Sequence, residues 1–239
     1  MVKNSLLAMV SEMVFPKSAD LKAFRGFTLA EVLITLVIIG VIAAMTIPTL
    51  MNNSNKQENV SKLKKAYSTL AQATNKIIAD EGNPKAGIGG WATSPEAVYN
   101  MYKKYLSKAK DCANGQGCFA NEYYKHLNGG NYKNLDTSAH HRIVLSDGTL
   151  VLFDTTNGTC ARDWDGNSDS CAQIWVDING VKGPNTAGRD WFSFLLKENG
   201  LYPRGCNNPD CTGPTVATVD TIRGLDCTCQ ILRTGEMNY

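Results

Sequence analysis

The chain has few histidines and no surplus of charge along most of its length. Only His126, His140 and His141 occur among the 239 residues, and the adjacent pair would point to opposite sides of a strand, where neighbouring side chains alternate. There is no Gly-x-Ser-x-Gly, no phosphate-binding glycine loop and no His-Glu-x-x-His, which removes the common motif-bearing hydrolases and nucleotide enzymes. No residue is assigned a catalytic role, and the chain is expected not to be an enzyme. Its formal net charge is +2. Lys3, Lys17, Lys22 and Arg25, set against Glu12 and Asp20, place that whole excess in residues 1–26. The remainder balances to zero, so a binder driven by bulk electrostatics is excluded and nucleic acid is not expected as the main partner. Internal repeats are also absent.

What is present is one long apolar run. Phe27 to Met51 spans 25 residues, more than the roughly 20 needed to cross a bilayer core as a helix. The basic stretch before it predicts that residues 1–26 stay in the cytoplasm and that the chain after about Met51 is exported. A conventional secretory signal has a short apolar core followed by a small-residue cleavage site; no such order is found here. Within the run stands a single acid, Glu31. An ionisable side chain in the hydrocarbon region costs roughly 2.5–3.5 kcal/mol on insertion scales, so Glu31 calls for a cationic partner.

Arg25-Gly26-Phe27-Thr28-Leu29-Ala30-Glu31, running into the apolar segment as far as Pro48, resembles the processing site of type IV prepilins and of the pseudopilins of type II secretion. The resemblance implies that a membrane prepilin peptidase cuts between Gly26 and Phe27 and N-methylates Phe27. Glu31 then becomes the fifth residue of the mature chain, and Pro48 the twenty-second. Met9 and Met13 are alternative starts that leave the mature chain unchanged. The new amine at Phe27 would be a cation at neutral pH, since α-amino groups titrate near about 7.7–8.0. In a bundle of such helices it can meet the Glu31 carboxylate of a neighbouring subunit, which assigns Glu31 to assembly.

After Met51 the composition changes while the helical period continues. Val60, Leu63, Tyr67, Leu70, Thr74 and Ile77 recur every three or four residues, the stripe of an amphipathic helix, with Lys62, Lys64, Lys65 and Lys76 off it. One long helix from about Thr28 to Ala79 is predicted, bent at Pro48 and stopped by Gly82-Asn83-Pro84. The expected organisation is a leader over 1–26, a transmembrane and assembly helix over 27–51, its amphipathic continuation over 52–81 and a disulfide-rich exported domain over 82–239.

Within that domain Ser94-Pro95-Glu96 predicts a helix cap and a helix to about Lys108, with Tyr99, Tyr102 and Tyr105 as a packing stripe. Arg142–Leu145 and Leu150–Phe153 around Asp147-Gly148 predict a hairpin with a tight primed turn. Ala172–Ile178 is a further strand, and Trp191–Leu196 a strand or short helix. The fold class is therefore α+β, a small antiparallel sheet laid on a long helix, which is also what the resemblance implies.

All eight cysteines follow the apolar run, at 112, 118, 160, 171, 206, 211, 227 and 229. In an exported domain they read as disulfides. Local spacing pairs Cys112 with Cys118 and Cys160 with Cys171, while Cys206, Cys211, Cys227 and Cys229 leave three pairings open. Zinc, with His140 or His141, is the rival, but the Cys-x-x-Cys pairs such sites use are missing. The loop Asp177–Asp190 is rich in oxygen donors, and Asp177, Asn179 and Asp190 are candidate calcium ligands, although Gly180 and Gly188 break the EF-hand spacing. A second acidic loop, Asp163, Asp165, Asn167 and Asp169, reads as a solvated turn.

These features predict a structural subunit, anchored in the inner membrane by a single helix and assembled into a pilus or a secretion pseudopilus in the periplasm or at the cell surface. Its expected partners are homologous subunits, the prepilin peptidase, the inner-membrane assembly machinery and membrane lipid. The alternative is a minor tip subunit that binds a surface ligand, an exported substrate or DNA.

Overall fold

The computed structural model describes residues 26–85, 90–164, 166, 168–207, 211 and 224–238; the rest of the leader, with Asp165 and Asn167, lies outside them. The chain forms two compact units, Met1–Thr49 and Leu50–Tyr239. Helix α1 runs unbroken over Leu29–Glu81 with Pro48 inside it. Proline has no N–H to donate four residues back, so one rung is forgone while the turns on either side persist. The stop falls at the predicted glycine: Gly82 takes φ +84° and donates to the Ile78 carbonyl at 3.0 Å, a left-handed exit that glycine adopts without steric cost.

No described residue of the first unit is buried. In the second unit α1 buries Val60, Leu63, Ala66, Leu70, Ala73, Thr74 and Ile77, one face at helical spacing. Tyr67 is half-buried beside this face and stacks on Phe194 with ring centroids 5.5 Å apart. Helix α2, Pro95–Tyr105, is capped by Ser94, whose hydroxyl accepts from the Ala97 N–H at 3.0 Å. It buries Val98, Tyr99 and Tyr102. The helix ends three residues before the expected Lys108: Leu106 is extended, and Lys108 already opens a strand whose pairing with its neighbour wins over the local helical pattern.

The strands are β1 Lys108–Ala113, β2 Tyr123–Lys125, β3 Asn131–Asn134, β4 His141–Leu145, β5 Leu150–Thr156, β6 Arg162–Asp163, β7 Ser168–Asp177, β8 Trp191–Lys197 and β9 Gly200–Pro203; helix α3 spans Cys227–Thr234. The main sheet is antiparallel in the order β1-β4-β5-β7-β8-β9, with β6 pairing β7, and β2 and β3 form a separate pair. The β4–β5 hairpin is where the sequence places it, but its turn differs from the two-residue primed type. Leu145 accepts from Gly148 N–H and donates to Thr149 O, each at 2.9 Å. Only Gly148 has positive φ, +87°, the signature of a type I turn with a glycine bulge.

Side-chain alternation along the strands builds two cores. Val151 and Phe153 of β5, Ile174 and Val176 of β7, and Phe192, Phe194 and Leu196 of β8 pack with the buried faces of α1 and α2 and with Ile231 of α3. Leu150, Leu152, Trp175 and Trp191 form a second cluster with Phe119, Tyr124 and Leu135 from the segment between β1 and β4. Both faces of the sheet are therefore covered, which is why the inner strands read as continuous apolar runs rather than as alternation. The arrangement is α+β and pilin-like: a long N-terminal apolar helix followed by an antiparallel sheet domain.

Candidate functional site

Residues 26–28 precede the first turn of α1, so the Gly26–Phe27 peptide bond lies outside the helix. Among the described residues a Cβ added to Gly26 would meet nothing within 4 Å, so no packing there requires its smallness. The Phe27 side chain is 87% exposed. Thr28 and Glu31 close on each other. The Glu31 carboxylate accepts from the Thr28 N–H at 2.8 Å and from its hydroxyl at 2.9 Å, and the Thr28 hydroxyl accepts from the Glu31 N–H at 3.2 Å. This is a capping box, which satisfies donors that a helix start leaves open. The Thr-x-x-Glu spacing signals it, a local role for Glu31 beside the cationic partner that its apolar surroundings call for. Cleavage would create that amine on Phe27, one residue before the group Glu31 already caps.

The helix that follows exposes Leu29, Leu33, Ile34, Leu36, Val37, Ile38, Ile39, Val41 and Ile42 together. Its most apolar window has a mean hydropathy of 2.5, long and apolar enough by length and composition to cross a membrane.

The three residues expected as calcium ligands are brought together at the β7–β8 connection. Asp177 and Asp190 are both fully buried. Asp177 accepts from the Tyr124 hydroxyl at 2.8 Å and from the Asn179 N–H at 3.1 Å. Asp190 accepts from the N–H groups of Asn185 and Thr186 at 2.7 and 2.6 Å, and from the Asn179 amide nitrogen at 3.3 Å. Burial first, and then the charge of Asp190, push the Asp177 carboxyl well above the ordinary range against the pull of Tyr124. Burial likewise raises Asp190. The Asn179 carbonyl oxygen is buried without a hydrogen-bond partner. The centre therefore holds two crowded, hydrogen-bonded carboxylates beside one buried amide oxygen that accepts nothing among the described residues. Among the described residues no group of three or more His, Cys, Asp or Glu side chains is gathered for a metal.

Three disulfides are formed, Cys112–Cys118, Cys160–Cys171 and Cys206–Cys229. In the second acidic loop Asp163 caps the Gly166 N–H at 2.7 Å and Asp169 pairs with Lys197 at 2.8 Å. Two ionic centres, one buried and one half-buried, have no signal in the sequence. Arg142 donates to the carbonyls of Leu135 and Gly115, each at 2.8 Å, and faces Asp136 at 3.5 Å. Asp154 gathers Lys133, His140 and the Trp175 indole N–H at 2.8, 3.3 and 3.0 Å. Burial alone would raise the Asp154 carboxyl, but the His140 bond and the charge and bond of Lys133 hold it below the usual range. His140 is thus engaged in the fold, and His141 packs on the Tyr99 ring at 5.2 Å.

The N-terminal signature defines the class. Residues 21–47 match the prokaryotic N-terminal methylation motif, the type IV prepilin and pseudopilin signature, which supports a precursor processed by a prepilin peptidase and, together with the apolar helix, membrane anchoring with an exposed C-terminal domain. Within that class, residues 49–204 match the family of unknown function DUF6613, and the chain belongs to it. The comparisons with curated proteins and with solved structures found no match.

Proposed function

We propose that the processed chain is a structural subunit of a type IV pilus or a type II secretion pseudopilus, held in the inner membrane by residues 27–51 and assembled there with homologous subunits. The observation that carries this reading is the contrast between the units: the second buries its apolar residues in cores of its own, while the apolar residues of the first are exposed. A helix left so exposed finds its partners in lipid and in other helices, where packing and polar pairs drive association. Glu31 supplies the polar pair, with the Phe27 amine of a neighbour. Losing one member of a desolvated pair costs about 3–5 kcal/mol. With Glu31→Ala, processing should persist while the subunit disappears from sheared filaments; filaments of unaltered yield would remove the assembly role. With Gly26→Val, full-length precursor should remain in the membrane by mass spectrometry, and normal shortening would refute the cleavage assignment.

The layer that covers the second face of the sheet, together with the cysteine-rich C-terminal segment, supports a second reading, a minor tip subunit that binds a ligand. Stoichiometry separates the two, because a tip subunit would be scarce in sheared filaments and a major one dominant. A calcium ion held by Asp177, Asn179 and Asp190 belongs to the same proposal. It would neutralise the buried carboxylates and occupy the open Asn179 oxygen. Its test is a rise in the melting temperature of the full chain with calcium that magnesium does not reproduce and that Asp190→Asn abolishes.

A further inference from the structure

The Cys206–Cys229 pairing selects among the three arrangements open to the last four cysteines, and the one it selects leaves Cys211 and Cys227 to each other. Neither belongs to one of the three disulfides, and both are buried, 1% and 0% exposed. Cys227 opens α3, and its sulfur lies 3.8 Å from the Cys211 carbonyl oxygen. The Cys211 sulfur reaches the Gln230 side-chain oxygen at 2.6 Å, one turn along the same helix. Cys227 thus lies against the Cys211 backbone at the first turn of α3, and both residues belong to the core that also holds Ile231 and Met237.

We propose that Cys211 and Cys227 form a fourth disulfide, nested inside Cys206–Cys229. The bond forms by thiol–disulfide exchange. An exported carrier protein in its disulfide form is attacked by one thiolate to give a mixed disulfide, which the second thiolate resolves. The two cysteines lose two electrons and two protons, and the carrier ends as a dithiol. Because both sulfurs are buried in the folded chain, exchange takes place before α3 docks. The product is a double staple: both bridges end within the first turn of α3.

The test uses the full chain, extracted from membranes without reductant and denatured in excess iodoacetamide. The intact mass should show no alkylated cysteine. Cys211→Ser should then expose one alkylatable thiol, located by fragmentation at Cys227, and Cys227→Ser should expose Cys211. A Cys206→Ser, Cys229→Ser double variant should again show none. Two alkylated residues in the parent, at Cys211 and Cys227, would overturn the proposal. So would alkylation of Cys206 in the Cys211→Ser chain, which would mean that the bridges are Cys206–Cys211 and Cys227–Cys229.

Discussion

In the proposed function one side chain, Glu31, serves two stages of a life cycle. In the precursor it closes a capping box with Thr28; in the proposed assembly the same carboxylate meets an amine that exists only after cleavage. Glu31→Gln separates the duties, because a glutamine at this position keeps the box but not the charge. Processing by mass spectrometry should be normal and filament yield reduced, whereas loss of both would place the residue in peptidase recognition. Asp136 is a different case. It accepts from the N–H groups of Gly117, Cys118 and Phe119 at 2.7–3.3 Å and faces the fully buried Arg142. Asp136→Ala strands a buried guanidinium and three donors, and thermal or denaturant unfolding should show a loss of about 3–5 kcal/mol. Asp177 answers to pH. Its carboxyl titrates well above the ordinary range, so the folded chain holds this proton more tightly than the unfolded one. The stabilisation is complete below about pH 3.9, the ordinary aspartate value, and is lost as pH rises through the folded value. In chelator, the parent should lose melting temperature relative to Asp177→Asn as pH rises toward neutrality. Parallel curves would show that the carboxyl is not buried as described.

At the scale of elements, caps and tight approaches carry what periodicity does not. Ser94 caps α2 through one hydrogen bond to Ala97, and Ser94→Ala should cost about 1 kcal/mol in urea unfolding, with Ser94→Asp retaining most of it. Gly224, three residues before α3, packs against the β7–β8 connection. Gly224 has φ +73°, and a Cβ there would run into the Ala187 carbonyl. Gly224→Ala should therefore loosen that contact, with faster amide exchange in residues 185–190 as the readout. The β4–β5 turn and the α2 terminus mark where local reading fell short. Asp147-Gly148 correctly announces a hairpin, but the choice between a two-residue turn and a bulged one depends on the register of β4 against β5. Lys108 belongs to a strand because β4 offers a partner, and nothing within residues 95–108 reveals that partner.

For the whole molecule, the two clusters of buried residues draw only on residues 60–237. A chain beginning at Leu50 should therefore fold without detergent and keep native near-ultraviolet dichroism, while the full precursor should need detergent for extraction. An unfolded truncated chain would show that the domain depends on its apolar helix. The sequence by itself determined the cleavage signature, the apolar span, the stripe along α1, the α2 cap and the β4–β5 hairpin. Each of these is a pattern repeated or closed within a few residues, so neighbours along the chain suffice to read it. Only the tertiary structure decided that both faces of the sheet are covered, that Cys206 joins Cys229, that Arg142 is a buried charge and Asp154 a half-buried one, and that Asp177 faces Tyr124 across 53 positions of sequence. The physical reason is that burial and partner choice are set by what packs from a distance, and composition or period carries no record of which distant segment arrives.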